Sequence, residues 1–122
     1  MAFDVTREVR DGYHLYRISG VNSKRNFIEL ADTLHEDHQQ NGVYNFVLDC
    51  AGIKGSLDIG QLFEVGDYFA RMLKACKLAG INTPPQWRNN TFSENVIHNR
   101  GGELEHFPSL EAAEAWFSKQ AF

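Results

Sequence analysis

The 122-residue sequence predicts one α/β domain: a small mixed sheet with four helices, in the order β-β-α-β-α-β-α-β-α. Three observations carry that expectation. Apolar and polar residues alternate on both sides of Asp11-Gly12, the pattern of a β-hairpin. Beyond it, short apolar runs alternate with stretches of helical periodicity, the pattern of a largely parallel sheet with right-handed crossovers. The composition, 43% hydrophobic and 23% charged, suits a single domain with a core of its own.

Phe3, Val5 and Val9 alternate with Asp4, Thr6 and Glu8, and "YHLYRIS" returns as the second strand. Asn22 or Ser23 can cap a first helix whose apolar positions are Phe27, Leu30, Ala31 and Leu34, and Asn41-Gly42 can end it. "VYNFVL", Val43 to Leu48, reads as a central strand covered on both faces and running into Asp49. A loop with Gly52, Gly55 and Gly60 is expected next. The second helix then sets Leu62, Val65, Phe69, Met72, Leu73 and Cys76 on one stripe. "KLAGI" is a fourth strand broken by Pro84-Pro85. Thr91 with Glu94 forms a capping box before "TFSENVIHNR", which Gly101-Gly102 closes. "ELEHF" is the last strand, and Ser109 caps a helix with Leu110, Ala113, Trp116 and Phe117 facing inward.

A formal net charge of −4 argues against a nucleic-acid partner, which usually meets a basic face. No apolar run reaches the length of a membrane-spanning helix, and "MAFDVTREVR" lacks the order of a signal peptide. With two cysteines at no framework or metal spacing, the expectation is a cytoplasmic protein with reduced thiols. The spacing also gives no serine or cysteine nucleophile with a partner, so no enzyme and no cofactor is expected.

Ligands of such sheets gather at the carboxyl ends of strands, which directs attention to "LDCAGIKGSLDIGQLFEVGDYF". The segment matches neither phosphate-loop fingerprint. "DIGQ" has the form of a capping box with Asp58 as N-cap and Gln61 at the third helical position. The element order, Asp49, Gly52 and Gly60, and the ending "NRGGELEHFPSLEAAEAWF" together resemble the STAS family, the anti-sigma-factor-antagonist-like (SpoIIAA-like) domains. The family's pattern here is an Asp, a Gly three residues on, then Asp-Ser-Ser-Gly-Leu before the second helix. In antagonists switched by a kinase, the serine after that second aspartate takes the phosphate. Counted without gaps, this sequence has Asp58 there, Ile59 in place of the second serine, and Leu62 one residue late. The resemblance thus implies a regulatory domain without the usual phosphorylatable serine. Ser56 is the nearest hydroxyl, and Asp58 is a permanent negative charge. It implies a protein partner, an anti-sigma factor with a kinase-like fold or another signalling protein, met through Ser56, Asp58, Gln61 and the second helix.

The alternative is a small apolar-ligand or lipid carrier, since some relatives of this layout resemble the lipid-binding Sec14 group. Its cleft would be walled by Ile53, Leu57, Phe63, Trp87 and Arg88, and peripheral membrane contact would fit it. In "TPPQWRNN", Trp87 beside Arg88 has the composition of a binding hot spot, and folding back as a lid over the core is an equal reading. A homodimer is compatible with either, through the second helix or the Trp87 loop. Simpler readings are favoured elsewhere. His35 and His38, with Asp32, are better explained by a helix end than by a metal. Cys50 is better explained as an inert strand residue than a reactive thiol, and Glu64 with Asp67 as a wet helix face.

Overall fold

The computed structural model describes residues 2–83 and 92–119. β1 (Asp4–Arg10) and β2 (Tyr13–Val21) form the antiparallel hairpin, with Arg10 opposite Tyr13. Gly12 takes a positive φ of 85°, which a side chain would oppose. α1 (Lys24–Asn41), β3 (Asn45–Lys54), α2 (Ile59–Met72), β4 (Lys77–Ile81), α3 (Phe92–Asn99), β5 (Glu103–Phe107) and α4 (Leu110–Lys119) follow. The five strands lie in the order β1-β2-β3-β4-β5, all parallel after the hairpin. Among the described residues this is the mixed sheet with four helices that the sequence predicts.

Alternation along the strands divides the core in two. Tyr16, Ile18, Phe46, Leu48 and Cys50 face α1, α2 and α3, where Phe27, Leu34, Leu62, Phe69 and Ile97 pack on them. Tyr13, Leu15, Val47, Ala79 and Ile81 face α4, which contributes Ala113 with Leu110, Trp116 and Phe117. α1 starts at Ser23, whose hydroxyl accepts from the Asn26 amide, and ends at Gly42, whose N–H donates to the His38 carbonyl.

Two expectations shift. β3 does not end at Asp49; it continues to Lys54, so Gly52 lies within the strand and Gly60 in the first turn of α2. The strand continues because β2 keeps pairing with it through Ser19–Gly52, Gly20–Ile53 and Val21–Lys54, after an irregularity between Arg17 and Ser19. A Cβ on Gly52 would lie 2.5 Å from the Ser19 Cβ, so only glycine fits that crossing without displacement. α2 stops at Met72, with Leu73 as its cap; Cys76 therefore lies beyond the helix, although it is buried as expected. Thr91 and "PPQWRNN" fall outside the described residues.

Candidate functional site

Packing alone leaves little freedom for the loop between β3 and α2. The Asn22 amide N–H donates to the Lys54 carbonyl (2.7 Å), and its side-chain nitrogen donates to the Gly55 carbonyl (3.2 Å). Gly55 turns the chain at φ 95°. Leu57 then drops into the core, which pins the loop from beneath. Ser56 and Asp58, on either side, are exposed.

Asp58 forms the capping box that the sequence predicts. Its Oδ1 accepts from the Gln61 amide at 2.8 Å, and its own amide donates to Gln61 Oε1 at 3.2 Å. Two free amides at the positive end of α2 are thereby satisfied. A side-chain carboxylate, fixed in place and open to solvent, is what this corner offers chemically.

Beside it, on the second helix where a partner surface is expected, lies an apolar patch. Ile59 is 67% exposed and Phe63 43% exposed, one helical turn apart on α2. The Arg100 guanidinium lies over the Phe63 ring, 4.5 Å from its centroid, and its Nε is 2.5 Å from Asp67. Asp67 also pairs with Arg71. The patch thus runs from the Asp58 carboxylate across two apolar side chains to a cation held at the end of α3. Ile59 carried a signal, since an isoleucine at the first position of a capped helix has no core to enter. Arg100 carried none, because 37 residues separate it from Phe63 in sequence.

Of the five residues expected to wall an apolar cleft, the three described ones sit in different settings. Ile53 is half-buried on β3, Leu57 is in the core and Phe63 faces outward beneath Arg100. Trp87 and Arg88 lie outside the described residues. An apolar pocket does exist elsewhere, between α2, α3 and the sheet, lined by Leu62, Phe69, Leu78, Ile97 and Leu104 among others, with a volume of about 40 Å³. That is room for one or two water-sized molecules. His106 closes one side. Its ring packs against Gly80, where a Cβ would come within 2.8 Å of it, and its Nδ1–H and main-chain N–H both donate to Glu94 Oε2.

Asp49, where the resemblance begins, has a structural task. Its Oδ1 accepts from the Ala51 amide (3.1 Å) and from the Asn82 side chain (3.0 Å), which ties the irregular part of β3 to the end of β4. Burial, and then the Asp49 charge, pushes the Cys50 thiol up to about 12, and burial pushes Cys76 up to about 11, so neither is nucleophilic near neutrality. His35 and His38 donate to the carbonyls of Met72 and Val43, and Asp32 accepts from Tyr68, so the three do not converge.

A second polar cluster, unforeseen, lies beneath the hairpin. Asp37 of α1 has a side chain only 2% exposed. It accepts from Tyr16 Oη (2.6 Å), His14 Nδ1 (2.7 Å), Arg7 (3.1 Å) and Asn41 (2.6 Å). Burial alone would raise its carboxyl, but hydrogen bonds from Tyr16, His14 and Asn41 outweigh burial and hold it below the usual range. Tyr16 moves the other way, raised by burial and then by the Asp37 carboxylate.

No known sequence family matches the chain, and no curated protein does. Solved structures do match. The chain is 15% identical to the unphosphorylated anti-sigma factor antagonist SpoIIAA, covering 99% of this chain and 100% of that one at a TM-score of 0.56. It is 16% identical to a serine-to-glutamate variant of RsbS from Moorella thermoacetica, covering 96% and 97% at a TM-score of 0.63. A SpoIIAA-like protein of the DUF3478 family from Shewanella loihica is similar at 15% identity, 95% and 93% coverage and a TM-score of 0.53. The domain therefore has the SpoIIAA-like, STAS fold.

Proposed function

We propose that the domain is a non-enzymatic regulatory module that binds a protein partner through the corner of Asp58 and the exposed face of α2. The observation that carries this reading is the adjacency of a fixed carboxylate to Ile59 and Phe63, two large apolar side chains left in solvent. Apolar anchors beside a charge give a partner both burial and orientation. The corner is also where the STAS resemblance puts its switch serine, and the neighbours in fold include an anti-sigma factor antagonist. With Asp58 there, the surface carries its charge permanently and needs no kinase to acquire it. The partner class is an anti-sigma factor with a kinase-like fold, or another signalling protein, and Ser56 and Gln61 border the contact.

The test is capture of such anti-sigma factors from the same genome by the wild-type domain and by Asp58→Asn and Phe63→Lys. Asn keeps the cap and removes the charge, so its fold is preserved. Weakened capture by both folded variants is expected; capture unchanged in both would refute the reading. A space of about 40 Å³ does not admit an acyl chain unless α3 moves, which weighs against the lipid-carrier alternative. Native mass spectrometry of the purified protein checks this directly, with no copurifying lipid expected.

A further inference from the structure

β1 is an outer strand, and its far edge has no partner strand among the described residues. The two-residue turn closes with Arg10 opposite Tyr13, which makes that a hydrogen-bonded pair. By alternation, the main-chain groups of Arg10, Glu8, Thr6 and Asp4 are directed at β2. Those of Val5, Arg7 and Val9 point away from the sheet, toward no strand among the described residues. On the α1 side of the strand Val5 is 37% and Val9 66% exposed. On the other side lie Asp4, Thr6, Glu8 and Arg10.

We propose that β1 is a self-recognition edge, at which two copies of the chain pair their β1 strands antiparallel about a two-fold axis through Arg7 and merge two sheets into one. The sequence Asp-Val-Thr-Arg-Glu-Val-Arg is complementary to its own reverse in that register. Asp4 stands opposite Arg10 of the second copy, Val5 opposite Val9, and Thr6 opposite Glu8. Each pair occurs twice, so four otherwise exposed valines meet, and at each end Arg10, which also pairs with Glu8 of its own strand at 2.7 Å, faces Asp4 of the second copy. Faces must match across such an axis, so it passes through a residue, and its neighbours fit worse. An axis at Thr6 sets Asp4 against Glu8, and one at Glu8 sets Val9 against Arg7. Charged side chains on an edge strand commonly prevent pairing, but here the charges oppose a foreign register and favour this one. The two Arg7 side chains meet at the axis, and each is already drawn to its own Asp37 at 3.1 Å.

This surface differs from the one proposed for a protein partner, which sits at the start of α2, and the two succeed or fail separately. Sedimentation velocity over a concentration series tests it with Asp4→Arg, Arg10→Asp and the double variant. All of these positions are solvent-facing or half-buried strand positions, and circular dichroism checks that each variant folds. The wild type is expected to dimerise reversibly. Either single reversal sets like charges opposite each other twice and should raise the dimer dissociation constant about ten- to a hundredfold. The double variant restores both pairs and should recover the wild-type constant. A wild type that stays monomeric at its highest soluble concentration overturns the proposal. So does a dimer indifferent to the single reversals, or a double variant as weak as the singles.

Discussion

Two aspartates of this domain, Asp37 and Asp58, make the same kind of bond for opposite ends. Asp37 is enclosed and accepts from four side chains on β1, β2 and α1. Asp58 is open to water and accepts one main-chain amide. The buried carboxylate is fully committed to the fold and offers nothing to a visitor. The exposed one contributes modestly to stability and keeps most of its charge available. A carboxylate's usefulness for binding is what its own protein has not already claimed.

The largest test of that contrast is Asp37→Ala. It leaves the buried His14 and Tyr16 without their acceptor, while the exposed Arg7 and Asn41 can turn to water, and should cost about 3–5 kcal/mol in urea denaturation. The pH profile follows. The Asp37 carboxyl is lowered in the folded state, so its contribution is fully present above the unfolded carboxylate value, about 3.9, and disappears as pH falls through the lower folded value. The wild type should therefore lose stability below about pH 4 more steeply than Asp37→Asn, whose side chain does not titrate there. Tyr16→Phe removes one hydrogen bond to that charge and should cost about 1.5–3 kcal/mol. At the other site, Asp58→Ala should cost about 1 kcal/mol, the usual value of an N-cap. Asp58→Asn should fall within a few tenths of a kcal/mol of the wild type. If Asp58→Ala proved as damaging as Asp37→Ala, the distinction between a committed and an available carboxylate would not hold.

The sequence made local features legible and left the converging ones hidden. The hairpin, each element's order and the Asp58 capping box depend on residues within a few positions of one another, and periodicity exposes them. The length of β3 was not local. Its last residues look like a loop, and they stay extended because β2 pairs with them and Gly52 lets Ser19 come close. Asp37 had a readable sign, since it continues the buried stripe of Phe27, Leu30 and Leu34 where a carboxylate must find partners. His14 and Tyr16 likewise share the inward-facing alternation of β2. What could not be read was that Arg7 would complete the set, or that Arg100 would cover Phe63, because both depend on how distant elements dock.

The strand order has a consequence for how the chain comes off the ribosome. Since the sheet runs β1-β2-β3-β4-β5, each new strand adds beside the one just made, and none has to be inserted between two that are already paired. Growth proceeds in one direction: the hairpin closes over two residues, and each later strand joins across one crossover that contains a helix. The growing edge moves forward with synthesis, from β2 to β5. Among the described strands, the outer edge of β1 is not covered by any of these additions.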